Sequence, residues 1–336
     1  MIHSVQAPRW TSRRSPRAAR PAGAPLITIA VPAYDRPALL SETLTSIMAQ
    51  TARVSIEVIV CDDGTMEETR NVVRKFPKET FKYSRNPEPL GAVRSWNRCL
   101  KAARGEWVMV LHEDDALYPW YLECVLPHLK AGTAAVCTKT TRGAAIPAAH
   151  RPLFAPTATD YPPAYFLKSS MTPFPGVLVR RDVALHLGGF DEKWGPVADY
   201  EFWYRLACAG PVKLVKATGA FYRVARGQWT ERVWGRMLAL SHLLRLRIAR
   251  EQFPEHPRAG RWMARFFTYG NARCYSKRFG PGPAVLGRCF TLGGSRLPRP
   301  PSGWVWQALK IASRKGWPHL WHEPDARRAP QIQQVG

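Results

Sequence analysis

The chain lacks most of the features that mark soft-metal sites, membrane spans and glycine-gripped nucleotides. Its seven cysteines, at 61, 99, 124, 137, 208, 274 and 289, form no CxxC pair. They are odd in number and scattered, and Cys61, Cys137 and Cys208 lie inside apolar stretches. That argues for reduced, buried thiols in a cytoplasmic setting rather than a disulfide framework or a zinc site. No stretch approaches the roughly 18 apolar residues of a membrane span. The early SVQAPRWTSRRSPRAARPAGAP has charge but no apolar centre, so it reads as a disordered tail rather than a secretory signal. Neither GxxxxGK[ST] nor GxGxxG occurs, which leaves a P-loop or a dinucleotide fold without motif support. Acid is scarce at both ends. Residues 1–25 carry five Arg and no acid, and residues 231–336 carry 19 basic against 5 acidic. Residues 26–230 are nearly balanced, at 25 against 20, so most of the net charge of +24 belongs to the ends. The chain therefore divides into a basic tail (1–25), a balanced domain (26–230) and a basic, largely helical extension (231–336).

The balanced block alternates. LITIAV (26–31) is a short β-branched run that Pro32 is expected to end, and PALLSETLTSIMAQ follows with Leu40, Leu44, Ile47 and Met48 at helical spacing. SIEVIV (55–60) ends in Cys61-Asp62-Asp63-Gly64 before a polar helix. A brief strand near 80–84 leads to a helix with Val93, Trp96, Leu100 and Ala103 on one stripe. EWVMVL then delivers His112-Glu113-Asp114-Asp115, and a further helix precedes AAVCTK. Strands that are unbroken apolar runs, alternating with helices, predict an α/β fold: a mostly parallel sheet with helices on both faces.

Ligands of such sheets sit outside the carboxyl ends of the strands. Three polar clusters fall at strand ends: Tyr34-Asp35-Arg36, Asp62-Asp63 and Glu113-Asp114-Asp115. They are predicted to meet on one rim. Acidic residues before a helix can simply cap it, but three in a row is more than a cap needs. A divalent cation would relieve their repulsion, and the absence of a His/Cys set points to a hard ion, Mg²⁺ or Mn²⁺.

Four segments, ITIAVPAYDR, IEVIVCDDGT, NPEPLGAVRSWNRCLKAARGEWVMVLHEDDAL and GGFDEKWGPVADYEFWYRLA, resemble in order and spacing the family 2 glycosyltransferases of GT-A, Rossmann-like fold, over about residues 26–226. The resemblance implies a metal-dependent, inverting enzyme. Its partners would be a nucleotide-diphosphate sugar, a UDP-sugar being favoured, and the hydroxyl of a glycan or lipid-linked acceptor in cell-surface polysaccharide or glycolipid synthesis. It implies that Pro32, Ala33 and Tyr34 line the nucleotide pocket with Asp35 nearby, that Asp63 contacts the base and Asp62 supports it, and that Glu113 belongs to the same pocket. Asp114 would be the metal ligand of the family's Asp-x-Asp element, with Asp115 alongside. His112 stands where that element has its first Asp, and could bond a ribose hydroxyl or serve structure alone. Asp199 would be the catalytic base, at the N-cap of the helix DYEFWYRLACAG and facing the crevice. Glu201 and Arg205, four apart, can pair with each other. Gly176 would let backbone approach the donor closely.

The segment 232–250 places Val233, Met237, Leu240, Leu244 and Ile248 on one helical face, and Trp304, Trp306, Trp317 and Trp321 mix with Lys310, Arg314 and Lys315 further on. Such a Trp/Arg-rich part reads equally as a membrane-surface segment, which would make the protein peripheral, or as helix packed on the catalytic domain. Two other functions stay open at this point. One is a degenerate sugar-nucleotide binder, suggested by His112. The other is a nucleic-acid-binding protein, suggested by charge but opposed by acids rather than bases on the rim, so no nucleic acid is expected.

Overall fold

The computed structural model describes residues 25–279, apart from 154, 226 and 227. Strands β1 (Ile27–Ala33), β2 (Ile56–Asp62), β3 (Phe81–Arg85) and β4 (Trp107–Val110) pair in parallel, with β1 between β2 and β4. The sheet continues through β8 (Val177–Arg180), β6 (Ala135–Gly143) and β9 (Val212–Arg223) to β5 (Ala116–Leu117), and β7 (Ala158–Asp160) also pairs with β9. Strand β8 runs against both β4 and β6, and β9 runs with β6, so six of the nine strands share one direction.

The unbroken apolar runs have a direct cause. Along β1, Ile27, Ile29, Val31 and Ala33 join one core cluster while Ala30 joins the other; along β4, Trp107 and Met109 face one side, Val108 and Val110 the opposite. Successive side chains alternate faces, and both faces are covered. One side carries α1 (Pro37–Met48) and α4 (Tyr121–Val125). The other carries α3 (Ala92–Ala102), α5 (Arg181–His186) and α6 (Ala198–Ala209), while α2 (Glu67–Val73) follows β2. In α1, Leu40, Leu44 and Ile47 are buried as the spacing predicts, but Met48 is largely exposed.

Pro32 does not end β1. The strand runs on to Ala33, with Pro32 opposite Cys61. Ala30 O accepts from Leu111 N on the β4 side and Ala33 O from Asp63 N on the β2 side. By alternation Pro32 faces the β4 side, where that strand has already ended, so its missing N–H costs no ladder bond.

The basic extension does not stand apart where it is described. Helix α7 (Trp229–Gln252) already begins before residue 231. Its Leu244, Ile248 and Ala249, with Phe253 and α8 (Pro257–Phe279) residues Met263 and Ala264, enter the same core cluster as Phe166, Phe202 and Tyr204. Of the stripe expected on 232–250, Leu244 and Ile248 are buried and the other three are half-buried. Arg245 is fully buried: Nε donates to Leu167 O (3.1 Å), Nη2 to Lys168 O (3.3 Å), and the guanidinium lies 5.6 Å from the Tyr200 ring centre. The four tryptophans from Trp304 to Trp321 lie outside the described residues, as does the tail at 1–24. Among the described residues no helix is long and apolar enough to cross a membrane.

Candidate active site

The three clusters do meet at the carboxyl edge, through bonds that cross long stretches of sequence. Tyr34 N donates to Glu113 Oε2 (2.9 Å), and Arg36 Nη1 to Asp114 Oδ2 (2.8 Å). Thr65 N and Met66 N donate to Asp35 Oδ1 at 2.7 and 2.9 Å, which ties the end of β1 to the end of β2. Asp35 has φ 54°, a left-handed conformation that Asp tolerates because its short side chain bonds locally. Burial pushes its carboxyl up, but the two backbone donors outweigh burial and hold it below the usual range. Gly64 is needed at this junction, since a Cβ there would lie 2.3 Å from Asp35 Oδ1.

The β2 acids are already bonded. Asp62, fully buried, accepts from Tyr83 Oη (2.6 Å), Arg85 Nε (2.9 Å) and Gly64 N (2.9 Å). Burial and that bond push the Tyr83 phenol up to about 12, so it remains the donor. Asp63 accepts from Asn86 Nδ2, from Leu90 N (2.7 Å) and from Gly91 N (2.9 Å). Three of its four lone-pair directions thus hold the 86–91 segment ahead of α3, which leaves one open.

The acidic loop after β4 differs. Thr43 Oγ1 lies 2.7 Å from both Glu113 O and Asp115 O, pinning the loop to α1. Arg223, at the end of β9, donates N to Asp115 Oδ1 (2.9 Å), Nε to Asp114 O (2.8 Å), Nη1 to Ala144 O (2.8 Å) and Nη2 to Glu42 Oε2 (2.6 Å). Yet Asp115 Oδ2, on a side chain 1% exposed, has no partner; it lies 3.9 Å from His112 Nδ1. His112 Nε2 is likewise buried and unbonded, with the ring packed against Phe174 (centroids 4.3 Å) and Trp96 (5.4 Å, 28°). Burial pushes the Asp115 carboxyl well up, the Asp114 charge adding to this, and pushes the His112 imidazole down. A neutral ring keeps a lone pair. His112, Asp114 and Asp115 each offer a ligand atom within 4.8 Å of the others. An orphaned carboxylate oxygen, a second carboxylate and a neutral imidazole fit a divalent cation. Burial also pushes Glu113 up to about 7, against the bond from Tyr34.

Pro32 is half-buried, Ala33 buried and Tyr34 56% exposed, so of the three Tyr34 alone has a largely exposed side chain. Gly176 needs a correction. It is buried, with φ 85°, and a Cβ would come within 2.9 Å of Thr138 Oγ1 and 3.0 Å of Ala220 Cβ. Its close approach is to β6 and β9 inside the core, not to a donor.

Asp199 is not the N-cap of α6. That position is Val197, because a 3₁₀ turn (Glu192–Val197) runs straight into the helix. Asp199 is the second helical residue, half-buried, and its Oδ1 accepts from Tyr200 N at 2.7 Å. Burial raises its carboxyl to about 6. Tyr275 of α8 lies within electrostatic reach of both Asp199 and Arg142. Glu201 is 2% exposed and held by Arg205 Nε (2.8 Å) and Arg247 Nη1 (3.0 Å), which makes it a buried ion-pair centre. Asp191 caps the preceding turn through Lys193 N (3.0 Å).

Sequence reasoning missed Arg223 and Thr43. The strand-end rule could have found Arg223, since FYR closes a strand parallel to β6; no local signal marks Thr43.

Residues 28–185 match the family described as "Glycosyl transferase family 2". Over 204 residues the chain is 29% identical to the chondroitin synthase of Pasteurella multocida, covering 56% of this chain and 20% of that one. It spans less than two thirds of the length of the first curated relatives it matches. The TarS 1-349 structure from S. aureus in complex with UDP-GlcNAc superposes with a TM-score of 0.58 at 16% identity, over 86% of this chain and 80% of that one. The mannosyltransferase PcManGT from Pyrobaculum calidifontis, in complex with GDP-Man and Mn²⁺, gives 0.55 at 18% identity, over 91% and 89%. At these identities the two structures share the fold. Residues 28–185 therefore resemble glycosyl transferase family 2, and the chain has a GT-A fold.

Proposed function

We propose that the protein moves a sugar from a nucleotide-diphosphate donor, a UDP-sugar by preference, to the hydroxyl of a glycan or lipid-linked acceptor, with inversion at the anomeric carbon. The observation that carries this reading is the unpartnered, buried Asp115 Oδ2 facing His112 and Asp114 on the rim where all three strand-end clusters meet. His112, Asp114 and Asp115 would hold Mg²⁺ or Mn²⁺. Such an ion supplies neutralisation of the charge that develops on the departing diphosphate. The complexes of TarS with UDP-GlcNAc and of PcManGT with GDP-Man and Mn²⁺ support the same class of donor.

The chain's own residues do the rest. Tyr34 presents its ring at the mouth of the nucleotide pocket. Asp63 shapes the base side through the 86–91 segment and offers its last lone pair to the base. Asp62, fully buried and bonded to Tyr83, Arg85 and Gly64, keeps the end of β2 rigid. Asp199 takes the proton from the acceptor hydroxyl as that oxygen attacks the anomeric carbon opposite the leaving diphosphate. A carboxyl that ionises at about 6 is charged at neutral pH yet a stronger base than an ordinary aspartate. A relative such as the chondroitin synthase suits a glycan acceptor.

Thermal-shift measurements against UDP-, GDP-, CDP- and dTDP-sugars, each with and without Mn²⁺, test the reading. Stabilisation by a UDP-sugar that depends on Mn²⁺ is expected; no response to any nucleotide sugar would overturn it. A binding response without sugar transfer would favour a non-catalytic binder.

A further inference from the structure

Two arginines serve the acidic loop, and they serve it differently. Arg223 is 8% exposed and spends its backbone N and all three guanidinium nitrogens on fixed partners, so it is part of the framework. The Arg36 side chain is 43% exposed, and its contact with Asp114 Oδ2 at 2.8 Å is the single hydrogen bond it makes among the described residues. Its backbone is anchored, because Arg36 O accepts from Leu40 N in the first turn of α1. The guanidinium is therefore free to swing on a fixed root.

Asp114 is also one of the three groups that converge with His112 and the unpartnered Asp115 Oδ2. A divalent ion drawing on all three must compete with Arg36 for Asp114. We infer that Arg36 is a resident competitor: it neutralises Asp114 until a divalent ion arrives, gives way to that ion, and then pairs with the donor's diphosphate. This rests on the metal-site reading above. The second step follows from chemistry. A displaced guanidinium beside a metal-bound diphosphate has a planar fork that matches phosphate oxygens, and charge-assisted pairs of this kind are strong and geometrically selective. The consequence is that metal and nucleotide assist each other, since only the diphosphate compensates Arg36 for the lost carboxylate.

Mn²⁺ binding followed by electron paramagnetic resonance, without nucleotide, tests the competition. Arg36→Gln should bind Mn²⁺ alone about two- to fivefold tighter than the natural chain, the range set by a part-exposed ion pair. At saturating Mn²⁺ the same variant should bind UDP about tenfold more weakly. Arg94→Gln, which removes equal charge from an exposed pair with Glu192 (2.8 Å), controls for long-range electrostatics and should leave both affinities unchanged. Arg36→Lys keeps the charge without the fork; it should leave Mn²⁺ affinity near normal and still weaken UDP. Unchanged Mn²⁺ affinity in Arg36→Gln, or equal tightening in Arg94→Gln, would overturn the inference while the metal site stands. Failure of the natural chain to bind Mn²⁺ at all would remove the metal site and this inference with it.

Discussion

The carboxylates behind β2 and those behind β4 stand on the same rim with opposite bookkeeping. Asp62 and Asp63 each accept three hydrogen bonds, Asp62 from β3 and from Gly64 N, Asp63 from the segment before α3. In the β4 loop Thr43 and Arg223 Nε grip the main-chain oxygens of Glu113, Asp114 and Asp115, and each carboxylate accepts a single bond, from Tyr34 N, Arg36 Nη1 and Arg223 N respectively. That leaves carboxylate oxygens short of partners, above all Asp115 Oδ2. A buried acid that is fully bonded stabilises the fold; one that is buried and left unpaired is costly unless a ligand completes it. Asp62 therefore reads as scaffold, Asp63 as scaffold with one lone pair still open, and the β4 acids as site, although all appear in the sequence as acids after a strand.

The contrast is broken most sharply by removing an acid from each side. Asp114→Ala should reduce Mn²⁺ affinity by at least about 100-fold, since even outer partners of a metal are worth 10- to 100-fold, and sugar transfer should go with it. The melting temperature should hardly change, because Asp114 keeps one movable arginine as its side-chain partner. Persistence of metal-dependent nucleotide binding would return the loop to a capping role.

Asp199→Asn ranks next. Asn retains an oxygen for Tyr200 N but cannot accept a proton, so transfer should fall by ~10²–10⁴ with donor binding intact. In the natural enzyme the rate should rise with pH through about 6, as the base loses its proton, and that limb should vanish in the variant. Near-normal transfer in Asp199→Asn would remove it as the base. Glu201 could not replace it, being enclosed by Arg205 and Arg247.

Asp62→Asn should do the reverse of Asp114→Ala. Loss of the charge that Tyr83 and Arg85 bond should cost about 2–4 kcal/mol of stability in a denaturant titration. Arg85 keeps Glu67 (3.2 Å) and a part-exposed position, which holds the cost below that of a sealed pair. If stability held and only nucleotide affinity fell, Asp62 would belong with the site rather than the scaffold.

How far this contrast could be read from sequence depends on what the residues see. The sheet and its rim were legible because unbroken runs such as IEVIV and WVMV can only be strands covered on both faces, and the rule for strand ends needs no contacts. The burial of Arg245 was not legible: an arginine ordinarily marks a solvated face, and only tertiary packing brings in the carbonyls of Leu167 and Lys168, Thr268 Oγ1 and the Tyr200 ring that satisfy it. Gly176 was misread for a similar reason. A lone glycine announces close approach, but what approaches it, here Thr138 and Ala220, depends on strand order. Asp199 was placed one turn boundary out because the 3₁₀ turn before α6 contains Pro196 and a Gly195 with φ 45°, and such turns leave no periodic signal.

The smallest effect separates a cap from a poised base. In the unfolded chain the Asp199 carboxyl ionises near 3.8, and in the folded protein at about 6. Below the lower value both states hold the proton and the group contributes nothing. Between the two, the unfolded chain releases a proton that the folded chain keeps, so stability falls as pH rises; above about 6 the penalty is constant. Two pH units correspond to at most about 3 kcal/mol. Half-burial and the helix N-terminus, which favours a negative charge by about 0.3–1 kcal/mol, bring the net expectation to about 1 kcal/mol. Asn is neutral at every pH. Asp199→Asn should therefore melt slightly above the natural protein at pH 8, and the gap should close as pH falls toward 4. A variant that melts lower at pH 8 would mean that the charge stabilises the first turn of α6. Asp199 would then be a helix-start residue whose burial never strained it, and the base would have to be sought elsewhere on the rim.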